Sequence, residues 1–231
     1  VGTVELELHG ATAWLTMARP PDNKLDLELT RLLSARLAEC DADARVAAIV
    51  LTGAGDVFCG GADTPEISRS GTLHEFADAI VELFASLAEI GTPVIAAVNG
   101  DALAGGFGLL CSAHLVLAVE NARIGTIEAR YGSWPVVAQV AALRRTPLPV
   151  LVANALTGEP LSATQAADNG IVNEVVRAED LRGRAAELAA AVTRGGAAIP
   201  LGLPELYRAA RLPYREALRR GADQFVRLAE R

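Results

Sequence analysis

Aromatic residues make up only 4% of this 231-residue chain, with a single methionine and two tryptophans. The interior therefore has to be built from aliphatic side chains, and at 51% hydrophobic content there are enough of them for one domain with a sizeable core. Cations fall short of anions, 21 against 28, for a net charge of −7. That balance excludes nucleic acid as a main partner. No apolar run reaches the ~18 residues of a membrane span. No signal-peptide pattern follows Val1, so the expectation is a cytoplasmic protein without a membrane partner. Cysteine is scarce too. Cys40, Cys59 and Cys111 are an odd, widely spaced set that makes neither a disulfide framework nor a zinc pattern and suits a reducing compartment. No metal is expected.

Alternating and continuous apolar runs are present in order. "TVELEL" (3–8) and "TAWLTMA" (12–18) read as a hairpin turning at "HGA". "LDLELTRLLSARLAEC" places Leu29, Leu32, Leu33, Leu37 and Cys40 on one helical face. "VAAIVLTG" (46–53), "PVIAAV" (93–98) and "LVLAVE" (115–120) are apolar throughout, as strands covered on both faces are. A helix is expected over about 72–90. The order strand, loop, helix repeats, which predicts an α/β chain with parallel strands and function in the loops after them. Beyond Pro135 the pattern turns helical. Ser162 caps a helix ending at Gly170, "IVNEVV" makes a short strand, and two amphipathic helices close the chain, the last with Leu218, Ala222 and Phe225 on one side.

Two glycine-rich loops stand out, "FCGGAD" (58–63) and "ALAGGFG" (102–108). Each follows a buried strand, and the second opens a helix, where backbone N–H groups lack partners. Glycine lets such backbone approach a ligand. Two loops of this kind can aim one N–H each at a single oxygen that gains negative charge. Tight turns with close helix packing explain the same glycines. "GAGDVF" (53–58) begins like a dinucleotide fingerprint but lacks the third glycine and the helix that must follow.

Taken together, "FCGGAD", "PVIAAVNGDALAGGFGL", "ARIGTIEARYG" and "LTGEPLSATQAADNGIVNEVV" resemble the crotonase family, the enoyl-CoA hydratases and isomerases. The resemblance runs from the hairpin to about residue 176. It implies an α/β fold, a spiral of β-β-α units over residues 1–176, with a helical C-terminal region, 177–231, used for trimerisation as a homotrimer or a dimer of trimers. It implies an acyl-CoA thioester held between the N–H groups of Ala62 and Gly105, with coenzyme A part of the substrate and no separate cofactor. Lys24, Leu25, Asp63, Thr64, Pro65 and Gly106 would line the substrate; many members carry lysine where Pro65 stands. Tyr131 and Trp134 in "YGSWP" would shape the acyl pocket, although Trp134 is equally explained as core packing.

Family hydratases use two glutamates. The position of the first is here Gly108, and that of the second is Glu128. A lone carboxylate beside an oxyanion hole can shuttle a proton between carbons of an enolate, as family isomerases do. The expected function is thus isomerase-like or altered hydratase chemistry with Glu128 as acid/base; the alternative is a catalytically silent acyl-CoA-binding protein. A glutamate placed at 108 is expected to restore the second carboxylate if there is room. His114 is expected to be structural; a hydrolase would instead need Cys59, Cys111 or Ser112 beside His114, His74 or His9.

Overall fold

The computed structural model describes residues 2–229. The chain opens with β1 (Thr3–His9) and β2 (Thr12–Ala18), an antiparallel hairpin with Thr3 opposite Ala18 and His9 opposite Thr12. Helix α1 (Leu27–Ala42) follows. Its cap is Asp26, whose carboxylate accepts the Leu29 N–H at 2.8 Å, a bond worth about 1 kcal/mol to the helix. Leu29, Leu33, Leu37 and Cys40 are buried as their spacing demands, with Leu32 half-buried at the edge of the face.

The next three turns of chain repeat one pattern. β3 (Ala48–Gly53) leads to β4 (Val57–Cys59), then α2 (Thr64–Ser70) and α3 (Leu73–Glu89). β5 (Val94–Val98) leads to β6 (Asp101–Leu103), then α4 (Gly105–Ser112). β7 (Leu115–Val119) leads to β8 (Arg123–Gly125), a 3-10 turn at Glu128–Tyr131, α5 (Ala138–Ala142) and α6 (Leu148–Thr157). The first strand of each turn joins one sheet and the second strand joins another. The parallel pairs β3–β5–β7 and β4–β6–β8 stack successive turns. This is the β-β-α spiral that the resemblance implies. The three-residue strands of the second sheet are too short to show periodicity, and β4 lies inside what the sequence reads as a glycine-rich loop.

The remaining elements are β9 (Leu161–Ser162), α7 (Ala163–Asp168), β10 (Glu174–Val176), a 3-10 turn, α8 (Leu181–Thr193), α9 (Ala198–Ala209) and α10 (Tyr214–Ala229). The full sheet orders are β1-β2-β3-β5-β7-β10 and β4-β6-β8-β9. Ser162 caps α7 in a reciprocal box with Gln165, which satisfies two otherwise unpaired N–H groups. Helix α8 buries Leu181, Ala185 and Ala189 against the first sheet, whereas α9 and α10 bury no residue within this chain. Among the described residues, no helix is long and apolar enough to cross a membrane.

Candidate active site

Ala62 lies just past β4 in an isolated parallel bridge with Leu25. The Leu25 N–H donates to the Gly61 carbonyl at 2.7 Å, and the Asp63 N–H donates to the Leu25 carbonyl at 2.8 Å. Residues 61 and 63 thus face Leu25, and the alternation of strand backbone turns the Ala62 N–H the other way. On the second loop, Ala104 adopts φ 52°, ψ −119° before the first turn of α4. A non-glycine residue there carries about 1–3 kcal/mol of strain. The Ala104 N–H is tied to the Gly125 carbonyl at 2.9 Å, and its own carbonyl accepts from Phe107 and Gly108. Among the described residues, neither the Ala62 nor the Gly105 N–H has a protein acceptor.

The two loops meet. A Cβ built on Gly105 would lie 3.5 Å from the Ala62 nitrogen. At Gly61, with φ +99°, a Cβ would come within 2.6 Å of the Ala104 methyl. Gly106 is the packing glycine of the pair: a Cβ there would sit 2.2 Å from the Cys59 carbonyl oxygen. The backbones of Gly61, Ala62 and Gly105 therefore lie close together, and the absence of a side chain at 105 leaves the Ala62 nitrogen uncovered on that side.

Glu128 begins the 3-10 turn three residues after β8. The pairing of Leu103 with Gly125 puts the exits of β6 and β8 at the same end of the second sheet, so Glu128 and Gly105 leave from neighbouring strands. Burial raises the Glu128 carboxyl above its ordinary pKa, and backbone N–H bonds at Glu128 and Ile127 only partly oppose this; the Ile127 N–H reaches Oε2 at 2.8 Å. The segment before it is clamped by buried Asn154 on α6. Asn154 Oδ1 accepts from Thr126 N at 2.8 Å and from Thr126 Oγ1 at 2.9 Å, and its Nδ2 donates to the Thr126 and Glu159 carbonyls.

The other expected substrate residues are placed as follows. Lys24, Leu25, Asp63, Thr64 and Pro65 are gathered around the Leu25–Ala62 bridge, with Thr64 and Pro65 exposed in the first turn of α2. A cleft of ≈350 Å³ runs past Arg19, Lys24 and Asp63. Arg19 pairs with Asp26 at 2.9 Å and Asp63 at 2.7 Å, and Lys24 pairs with Asp22 at 2.8 Å. Burial pushes the Asp63 carboxyl up, but Arg19, the Glu66 N–H and Lys24 together outweigh it and hold the carboxyl below its ordinary value. The Asp63 carboxylate also caps α2. Sequence reasoning missed Asp26 and Arg19, the latter because its partner Asp63 lies 44 residues further along the chain. Tyr131 closes the 3-10 turn that Glu128 begins; Tyr131 and Trp134 are 78% and 45% exposed, and Trp134 Nε1 donates to Gln139. The core-packing reading of Trp134 is thereby corrected.

The sequence pattern of the enoyl-CoA hydratase/isomerase family matches residues 7–226. The chain belongs to this family. It is 33% identical over 183 residues to a probable enoyl-CoA hydratase of Bacillus subtilis, covering 75% of this chain and 69% of that protein. It is 31% identical over 222 residues to the carnitinyl-CoA dehydratase of Salmonella paratyphi A, covering 94% and 85%. A crystal structure of an enoyl-CoA hydratase/isomerase family protein from Silicibacter pomeroyi superposes with a TM-score of 0.93 at 28% identity, covering 97% of this chain and 98% of that one.

Within this family fold, Gly108 is tightly covered. A Cβ there would meet the Phe84 ring at 2.8 Å and the Ala138 Cα at 3.1 Å. A glutamate at 108 therefore requires the Phe84 ring to move aside, into the cavity that this ring lines, and the Ala138 backbone to give by a few tenths of an ångström. The hydrolase reading also lacks its geometry. Ser112 Oγ donates to the Gly108 carbonyl, and His114 Nδ1 accepts the Val94 N–H at 2.9 Å. Burial, reinforced by Arg144 and Arg145, pushes the His114 pKa down to about 4. Burial pushes the Cys59 and Cys111 thiols up to about 12, which disfavours the thiolate a nucleophile needs. Among the described residues, no group of three or more His, Cys, Asp or Glu side chains is arranged to hold a metal.

Proposed function

We propose that this family member binds an enoyl- or acyl-CoA thioester and acts on it through an enolate, with Glu128 as the single acid/base. The thioester oxygen sits between the Ala62 and Gly105 N–H groups. The Glu128 carboxylate takes the proton from C2, the electron pair moves onto the thioester oxygen, and the two N–H groups stabilise the charge. Return of the proton to C4 of a 3-enoyl chain moves the double bond into conjugation, with all atoms retained. The observation that carries this reading is the contrast between positions 128 and 108: a half-buried carboxyl with a raised pKa at one, and a tightly covered glycine at the other. A raised pKa makes the carboxylate a stronger base for a carbon acid.

The coenzyme A portion lies along Lys24, Leu25 and the 62–65 segment. Arg19 and Lys24 are already paired with Asp22, Asp26 and Asp63, so charge gives the nucleotide little help and backbone contacts carry the binding. The test is to mix the protein with crotonyl-CoA and, separately, with a 3-enoyl-CoA and follow the conjugated-thioester absorbance. Gain of absorbance from the 3-enoyl substrate, with slow or no loss from crotonyl-CoA, is the expected pattern. Rapid hydration of crotonyl-CoA alone would overturn the single-carboxylate scheme, and acyl-CoA binding without any turnover would mark a silent binder.

A further inference from the structure

We propose that the cavity enclosed by α3, α5 and α9 binds an amphipathic carboxylate, an aliphatic chain ending in one anionic group. The cavity has a volume of ≈380 Å³, inside the ~300–1,000 Å³ range of small-molecule sites. Much of its lining is apolar: Val81 and Phe84 from α3, Val137 and Ala141 at α5, and Pro204 from α9. The lining holds two aromatic rings, Phe84 and Tyr207, and its other apolar groups are aliphatic, which suits an alkyl chain. Ser112, also in the lining, spends its hydroxyl proton on the Gly108 carbonyl.

The charged part of the lining is one-sided. Arg144, Arg208 and Arg211 face a single carboxylate, Glu89. Arg208 is held by Glu205 at 2.5 Å. Arg144 lies over the Tyr207 ring, 4.9 Å from its centroid, and among the described residues neither it nor Arg211 has a carboxylate within salt-bridge distance. Two guanidinium groups side by side repel each other; burial and the Arg211 charge both lower the Arg144 pKa. A carboxylate between them relieves that repulsion and accepts hydrogen bonds from planar donors suited to it. Apolar side chains and guanidinium groups unpaired among the described residues, in one lining, together define the ligand class. The site uses neither the Ala62 and Gly105 N–H groups nor Glu128, so it stands independently of the thioester reading.

The test is calorimetric titration of the intact protein with sodium octanoate, and with octanol as the uncharged chain of equal length. Octanoate is expected to bind at least 10-fold more tightly than octanol. In Arg144→Met/Arg211→Met, which keeps apolar stems in the lining, octanoate affinity should fall at least 10-fold while octanol is unaffected. Equal binding of the two ligands, no heat with octanoate, or full octanoate affinity in the double variant would each overturn the proposal. So would a smaller particle mass in the double variant with octanoate binding intact, since the arginines would then serve a contact between copies. A free acid and the distal carboxylate of an ω-carboxyacyl-CoA share this chemistry. Displacement of octanoate by ω-carboxyoctanoyl-CoA, but not by octanoyl-CoA, identifies the second source, and simultaneous binding of octanoate and the ω-carboxyacyl-CoA identifies the first, with the arginine dependence present in both.

Discussion

Gly105 and Glu128 carry opposite kinds of information. At Gly105 the useful atom is the main-chain N–H, and the missing side chain is what exposes it. A methyl at this position would sit 3.5 Å from the Ala62 nitrogen and 3.6–3.7 Å from Gly61, ordinary contact distances that leave the fold intact. Gly105→Ala is therefore expected to melt near the parent temperature yet lose about 100-fold in kcat, because the methyl occupies the oxygen's place. Circular dichroism and an enoyl-CoA assay check the two halves. Glu128 makes a prediction about stability. Its folded pKa is raised by burial, so the folded state holds the proton more tightly than the unfolded chain. Stability is then greatest below the ordinary glutamate pKa and is lost as pH rises through the raised value. Glu128→Gln should raise the melting temperature at pH 7, with the gain shrinking to nothing as pH falls below that ordinary range. The two glycine loops and Glu128 were legible in the sequence because each stands in a short motif at fixed spacing. The covering of Gly108 was not, because Phe84 and Ala138 approach it from 24 residues before and 30 after.

Among the elements, α6 is the one whose role the sequence conceals. Asn154 reads as a polar residue in an apolar helix, yet it is buried and bonds to the backbone on both sides of Thr126. Helix α6 thereby fixes the segment that carries Glu128 two residues later. Asn154→Ala would leave the Thr126 and Glu159 groups without their partner, costing about 3 kcal/mol of stability. It should also lower kcat far more than it raises KM, since the coenzyme A contacts lie on other elements; denaturant titration and steady-state kinetics separate the two effects. The long strands and α1, α3 and α7 were legible because each shows its period or its cap over enough residues to register. The second sheet was not, since β4, β6 and β8 have three residues each and exist through pairing between successive turns of the spiral.

At the scale of the whole molecule, the last two helices are unfinished within one chain. Leu206 on α9 and Tyr214, Leu218 and Phe225 on α10 are 56–80% exposed, although α10 is tied to α9 by the Arg220–Glu205 pair. The apolar face of α10 was visible in its spacing, but what it packs against lies outside the sequence of a single chain. Exposed apolar faces of this extent favour association, and we propose assembly of copies, as a trimer or a pair of trimers. Light scattering at micromolar concentration should return a multiple of 24.1 kDa. Leu218→Glu/Phe225→Glu should shift it toward the single-chain mass without unfolding the spiral core.

The central claim is that this spiral forms a thioester enolate with one carboxylate, and it can be tested without hydration or isomerisation. Butyryl-CoA has no double bond, so neither reaction can proceed. In heavy water, NMR should show the parent protein exchanging the C2 protons of butyryl-CoA for deuterium. Glu128→Gln should slow that exchange by ~100-fold or more while acyl-CoA binding stays nearly unchanged. Exchange at the parent rate in the variant, or none in a parent protein that binds butyryl-CoA, would contradict the account.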